Sequence, residues 1–367
     1  MEILIIGAGP AGIFCGINLL EKGIEAKIIE RKKEIGKPLK CSGGISKEGI
    51  EIVDDREIIE KIKIKEFEGI SLIFPNGEKI YFKKKGFLID REKFEKLLEN
   101  KFLKLGGKII RDEIKEVQDD KALGKNNFYK YDLLIIATGA NFLKGINYPY
   151  KGFIFATEKR IISKEEKNFL EFYHGEIHRP AYMWKFYHGD FIGIGKMYKN
   201  KHDFESLNKI LKEEKVIKTI TGKLPFPLKP PEFLYKDKKF FIGDSGAFIN
   251  QLTFAGIYGA LLSAKICSKR IEKFLKNKNW GELEKFNDLK KDLIYFSKSI
   301  YKARNILYSS NDKELTIVGK LMDGKNYDEI PYIKAIKNLL KNPYFLKTYI
   351  KFLYVEKIFK KGENFSF

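Results

Sequence analysis

"EILIIGAGPAGIFCGINLLEKGIEAKIIER", residues Glu2 to Arg31, reads as strand, glycine turn, helix and second strand. Ile3 to Ile6 form a continuous apolar run, as a strand buried on both faces requires. Ile13, Ile17 and Leu20 recur at helical spacing, and Ile28-Ile29 open the next strand. Between strand and helix lies Gly7-Ala-Gly9-Pro-Ala-Gly12, a G-x-G-x-x-G pattern. Gly7 permits the tight turn, Gly9 lets the backbone approach a pyrophosphate, and Gly12 lets the helix pack closely. The free N–H groups of the helix N-terminus favour the anion. Glu30 closes the second strand, where a carboxylate bonds the ribose hydroxyls of adenosine. This stretch predicts a Rossmann-like α/β domain that binds a dinucleotide.

Composition sets the class around that domain. A chain of 367 residues with 44% hydrophobic and 32% charged content has enough material for two domains and a large core. No run of about 18 apolar residues occurs, so no membrane-spanning helix is expected. The chain enters its first strand without a basic and apolar leader, which predicts no secretory signal. Cys15, Cys41 and Cys267 are odd in number and lack metal spacing. That pattern argues for a reducing cytoplasmic setting, without disulfides or a zinc site. The net charge of +21 points to an anionic partner or to a lysine-rich proteome with solvated faces. The lysines are scattered and no nucleic-acid module is evident, so no nucleic-acid partner is expected.

Further along, "ISLIFPNGEKIYF" reads as a hairpin turning at Asn76-Gly77. "DREKFEKLLENKFLKLGGKII" is an amphipathic helix stopped at Gly106-Gly107, and "YKYDLLIIATGA" is a buried strand entering a glycine turn. From Gly152 to Lys196 the pattern is strand-rich, and "KLPFPLKPPEF" is a proline-rich connector outside regular structure. "KFFIGDSGAFINQLTFAGIYGALLSAKICSKRIEKFL" then returns to strand, loop and long helix. Nucleotide-type segments therefore recur at the start, middle and end. The reading is a discontinuous nucleotide domain over 1–60, 86–142 and 238–275. A β-rich substrate domain takes 61–85 and 143–237, and a helical region takes 276–367.

The fingerprint alone does not separate NAD from FAD. "LLIIATGA" and "FFIGDSGAF" resemble the two later motifs of flavoproteins whose nucleotide domain is built from separated segments. In such proteins Asp244 accepts from the FAD ribityl chain, and the helix opening at Gly256-Ile257 aims its positive end at the flavin. No second G-x-G-x-x-G follows a strand, which argues against a separate NAD(P) domain. In this setting "GKPLKCSGGIS", Gly36 to Ser46, runs past the flavin, with glycines 43 and 44 allowing backbone contact. Cys41 is then either a flavin contact or a small packed residue.

"KPLKCSGGIS", "GDSGAFINQLTFAGIYGALLSAK" and "YMWKF" together resemble the geranylgeranyl reductase family, over Met1 to about Leu275. The resemblance implies an FAD enzyme of the aromatic-hydroxylase fold type that saturates isoprenoid double bonds of archaeal membrane lipid precursors. It places FAD contacts at Ala11, Glu30, Cys41, Ser42, Gly44, Arg91, Asp244, Gly256 and Ile257, with Val117 as a backbone contact to adenine. Its aromatic motif P-x-x-Y-x-W-x-F-P aligns on Tyr182, Trp184 and Phe186, which then line the substrate. Tyr187 replaces the last proline of that motif, and Pro180 lies one residue closer than the pattern asks. Gln251 stands where a proline is usual, and Phe254-Ala255 replace small or acidic residues before Gly256.

The residues themselves allow the same use of the aromatic stripe. In a strand Tyr182, Trp184 and Phe186 share one face, which serves as plain core or as the wall of an apolar channel. An isolated alkene is unpolarised, so proton donation must create tertiary cation character before hydride from reduced flavin can add. Aromatic faces stabilise such charge by ~0.5–2 kcal/mol each when desolvated. The proton donor is either Cys41, the candidate catalytic residue, or a flavin-bound water. The electron donor is expected to be ferredoxin or NAD(P)H. The rival readings are an FAD monooxygenase of the same fold and a non-enzymatic flavin- or lipid-binding module. His174 and His178 have metal spacing, but Gly175 and the strand setting argue against a metal. The charge and the tail "NPYFLKTYIKFLYVEKIFKK" predict peripheral contact with the inner face of the cell membrane.

Overall fold

The computed structural model describes residues 1–211, 214–322, 348, 350–355 and 357–358. The opening stretch folds as strand Ile3–Ile6, helix Pro10–Leu20 and strand Lys27–Glu30. The first strand pairs in parallel with Lys27–Glu30 on one side and with Leu133–Ile136 on the other. Lys108–Arg111 and Lys239–Phe241 extend this sheet in parallel at its two sides, and Tyr235–Lys236 closes it antiparallel. All four residues of Ile3–Ile6 and of Leu133–Ile136 are buried, as covered parallel strands demand. Helices Pro10–Leu20, Arg91–Lys104 and Ile257–Asn277 pack together beside the sheet. The strand carboxyl ends, and hence the glycine turns at 7, 139 and 243, gather at one edge.

The second sheet has eight strands. In order they are Val216–Pro225, Phe153–Ile162, Phe191–Tyr198, Met183–Tyr187, Phe169–Tyr173, Lys63–Ile73, Lys79–Ile89 and Gly44–Ser46. All pairings are antiparallel except Phe169–Tyr173 with Lys63–Ile73. Asn76-Gly77 does turn the hairpin, with Gly77 at φ 83°. Two details depart from the sequence reading. Gly44–Ser46, inside the segment assigned to the nucleotide domain, is a strand of this second sheet. The proline-rich connector is partly strand: Pro225 pairs with Phe153 at the end of Val216–Pro225. That strand lies at the sheet edge, where a residue without an N–H leaves no ladder bond broken.

A third, three-stranded sheet comprises Ile114–Val117, Lys121–Gly124 and Phe128–Lys130. Beyond Asn277 the described residues are helical, including Lys298–Ser309 and Asp312–Met322. Most of the tail at 342–361 lies outside the described residues. Within it Phe352, Val355 and Ile358 are buried in the main core. No described helix is long and apolar enough to cross a membrane.

Candidate functional site

A cleft of ≈ 640 Å³ opens at the carboxyl ends of the parallel strands. Its wall draws on Gly7, Gly9 and Ala11, on Glu30, Cys41 and Arg91, and on Asp244, Gly256 and Ile257. Residues more than two hundred positions apart thus meet on one surface because their strands are neighbours in the sheet.

The glycine turn is built for close approach. A Cβ on Gly7 would sit 2.4 Å from the Ala137 carbonyl oxygen, and one on Gly12 1.9 Å from that of Gly7. Gly12 therefore lies under the turn and packs the helix rather than lining the cleft. A Cβ on Gly9 would meet no atom within 4 Å, so its backbone faces open space. Glu30 is fixed by two backbone donors, Ala8 N at 2.7 Å and Lys32 N at 2.8 Å. One donor goes to each oxygen, which leaves each a lone pair for a ribose hydroxyl.

Arg91 is the first residue of its helix, behind the Asp90 cap that accepts from Lys93 N. It is 8% exposed and pairs with Glu95 at 2.5 Å. Burial pulls its pKa down, but Cys41, Glu95 and Asp244 together hold it above its ordinary value. Its Nε is buried without a partner. Asp244 lies in the turn Gly243–Gly246 beside Gly256, and burial pushes its carboxyl up to about 6 against the pull of Arg91. A half-buried carboxylate on the cleft wall, with a buried guanidinium beside it, fits hydroxyl and phosphate groups of a dinucleotide. The open backbone at Gly9, the anchored Glu30 and this polar pair suit FAD.

The loop around Cys41 connects the cleft to the second sheet. Gly43 takes φ 89°, and a Cβ there would strike the Ile89 carbonyl at 2.4 Å, so only glycine fits. Its N–H donates to Cys41 Sγ at 3.4 Å. A Cβ on Gly44 would touch the Phe186 ring at 3.1 Å. The loop therefore passes from the cleft wall at Cys41 onto the aromatic face at Gly44. Ser42 lies between them and is not part of the cleft wall.

Tyr182, Trp184 and Phe186 do share one face, and all three are buried in the main core. Neighbouring ring centroids lie 6.1 Å and 6.5 Å apart, with Phe172 edge-on to Tyr182 and Phe186. None of the three lines the large cleft; Tyr182 borders a void of ≈ 10 Å³ with His174, Leu252 and Tyr308. In this conformation the stripe is closed packing, not an open channel wall. Trp184 Nε1 donates to the buried Glu158 carboxylate at 3.1 Å, which Arg160 Nε also contacts at 3.0 Å. Gly193 and Gly195 make room on the same face: Cβ atoms there would strike Glu158 and Trp184.

Val117 falls outside the cleft. Its N–H donates to the Lys144 carbonyl and its own carbonyl closes on Gly145, so Ile114 and Lys115 form the wall instead. Phe254, one of the departures from the family pattern, also lines the cleft, as do Lys40 and Lys223, which no sequence motif singles out. His174 is buried between the Phe74 and Tyr308 rings. Among the described residues no group of three or more His, Cys, Asp or Glu is placed to hold a metal.

Comparison with known proteins agrees with this geometry. The profile of the pyridine nucleotide-disulphide oxidoreductases matches residues 1–171. A digeranylgeranylglycerophospholipid reductase of Methanococcus vannielii is 28% identical, over 94% of this chain and 96% of its own. A geranylgeranyl bacteriochlorophyll reductase-like protein of Thermoplasma acidophilum superposes with TM-score 0.76 at 20% identity, covering 94% and 97% of the two chains. A p-nitrophenol 4-monooxygenase of Pseudomonas putida superposes with TM-score 0.71 at 13% identity, covering 94% and 99%. The sequence resemblance thus extends over nearly the whole chain, and the fold is shared with aromatic hydroxylases. The chain is an FAD-dependent oxidoreductase of the aromatic-hydroxylase fold type, similar to the digeranylgeranylglycerophospholipid reductases.

Proposed function

We propose that this protein saturates the isoprenoid double bonds of archaeal membrane lipid precursors, taking electrons from ferredoxin or NAD(P)H. The observation that carries the reading is the near-full-length similarity to reductases of that lipid class. The same similarity favours reduction over the monooxygenase reading, which rests on fold alone. Bound FAD supplies the hydride chemistry. In this reading Glu30 holds the adenosine ribose, the Gly7–Gly12 turn the pyrophosphate, and Arg91 and Asp244 the middle of the cofactor. Gly256 and Ile257 flank the flavin. Tyr182, Trp184 and Phe186 would form the substrate wall once their packing parts. Their faces then stabilise positive charge on the alkene, and the surrounding core excludes water that would capture it. Cys41, at the junction of cleft and aromatic face, is placed to hold or deliver a proton.

The test is anaerobic reduction of the purified protein followed by incubation with digeranylgeranylglycerophospholipid and mass spectrometry. The expected product gains two hydrogens per double bond. A fully reduced flavin that leaves the lipid mass unchanged overturns the reading, and an oxygen-dependent hydroxylated product would replace it with the monooxygenase.

The substrate class implies work at a membrane surface, and the +21 charge suits an anionic one. We expect flotation with anionic liposomes that fades as salt rises, and little flotation with neutral ones. Equal binding to both would exclude an electrostatic attachment.

A further inference from the structure

Arg304 is the largest of the fully buried side chains, at 1% exposure, and sits in the helix Lys298–Ser309. It donates from Nη1 to Gln251 Oε1 at 2.6 Å and from Nη2 to the Pro227 carbonyl at 2.8 Å. Its guanidinium lies 4.3 Å from the Phe226 ring centroid and 5.1 Å from that of Tyr301. Among the described residues no carboxylate pairs with it, and its Nε is buried without a partner. A buried cation answered only by neutral acceptors is expensive, because its desolvation is not offset by an opposite charge.

The segment it grips leads into the cofactor cleft. Gln251 is fully buried and belongs to the tight loop 250–256, where Phe254 N donates to the Asn250 carbonyl and Ala255 accepts from Asn250 N. Tyr182 and Tyr308 hydroxyls tie down the carbonyls of Thr253 and Leu252 in the same loop. Phe254 takes φ 55° and stacks on Phe226 at 5.7 Å, so Arg304, Phe226 and Phe254 form one column. Phe254, Gly256 and Ile257 line the cleft. The column thus runs from this buried charge to the cleft wall.

We infer that Arg304, held by Gln251, is a positioning residue that raises the reduction potential of the bound flavin. Two-electron reduction leaves the flavin with net negative charge, and a fixed cation behind the wall favours that form. A unit charge on the order of 10 Å away at an effective dielectric near 20 changes such an equilibrium roughly tenfold. Gln251 gives the site a neutral acceptor, where a proline would leave the guanidinium without this partner. The inference rests on FAD occupying the cleft.

Dye-coupled reductive titration of the FAD-loaded protein tests it without any lipid. Arg304→Met removes the charge, and Gln251→Glu cancels it in place with nearly the same shape. Both should lower the ratio of reduced to oxidised flavin at a fixed potential roughly tenfold, about 30 mV for two electrons. Arg304→Lys, which keeps the charge, should stay within about threefold of the parent. If Arg304→Met does not fold, Gln251→Glu carries the test alone. A folded Gln251→Glu protein whose flavin keeps the parent potential overturns the inference. A parent protein that takes up no FAD shows no flavin spectrum, and that would instead overturn the cofactor assignment.

Discussion

Replacing Asp244 by Asn should weaken FAD binding about 10- to 100-fold while making the apoprotein more stable at pH 7. The two effects have opposite signs for one reason. Asp244 is half-buried at the cleft wall, and desolvation there raises its carboxyl to about 6, above the ordinary carboxylate range. A carboxyl whose pKa is raised on folding binds more protons in the native than in the unfolded state between its ordinary and raised values. Stability therefore falls as pH rises from about 4 to about 6. The shift corresponds to an order-of-magnitude penalty of about 3 kcal/mol at neutral pH. An amide carries no charge to desolvate and escapes it. The same amide is a weaker acceptor for a ribityl hydroxyl, and losing a charge-assisted bond removes ~1.5–3 kcal/mol of affinity. Denaturant melts of apoprotein across pH 4 to 7, with FAD titrations on the same samples, read both effects. The stability gain should vanish below about pH 4, where the parent carboxyl is protonated in both states. Unchanged FAD affinity would remove Asp244 from the cofactor site.

The opposition explains why such a residue is placed there: the site carries local instability in the apoprotein that only the cofactor relieves. Arg91 differs, because Cys41, Glu95 and Asp244 hold its charge in the folded protein, and only its buried Nε lacks a partner.

The parts of the fold legible in the sequence are those specified locally. Ile3–Ile6, Pro10–Leu20 and Lys27–Glu30 followed from apolar period and glycine spacing, because strand, turn and helix each have their own signature. What escaped depends on contacts distant in the chain. A side chain on Gly44 would crowd the Phe186 ring, 142 positions later, and no local pattern announces that pairing. The glycines at 193 and 195 clear space for Glu158 and Trp184, and no local pattern announces that either. Gln251 stood out as a departure from a pattern. Its reason, the Arg304 guanidinium, lies 53 residues away on a helix of the C-terminal region. Among the site residues, Gly7, Gly9, Ala11, Glu30, Cys41, Arg91, Asp244, Gly256 and Ile257 converge on one cleft. Gly12 and Gly44 serve the packing behind it, and Val117 is drawn away because its strand joins the small third sheet.

Cys41→Ala should slow turnover at least about tenfold while leaving FAD binding nearly intact. Ribose, pyrophosphate and ribityl groups would be held by Glu30, the glycine turn and Asp244, none of which needs the thiol. In the proposed reading the thiol, which accepts from the Gly43 N–H at the junction of cleft and aromatic face, would act where the alkene approaches. A group that delivers a proton or shapes that approach works in the transition state, so its loss appears in rate and not in cofactor affinity. Cys15 and Cys267 are the internal controls. Both are fully buried, on the helices Pro10–Leu20 and Ile257–Asn277 that pack together, and burial pushes the Cys267 thiol well up beside Cys15. Alanine at either position removes packed atoms and should lower stability by about 1 kcal/mol, with turnover per folded enzyme unchanged. Single-turnover oxidation of reduced enzyme by lipid, compared across the three variants, separates chemistry from packing. Equal rates in all three would reduce Cys41 to a small residue that closes a turn.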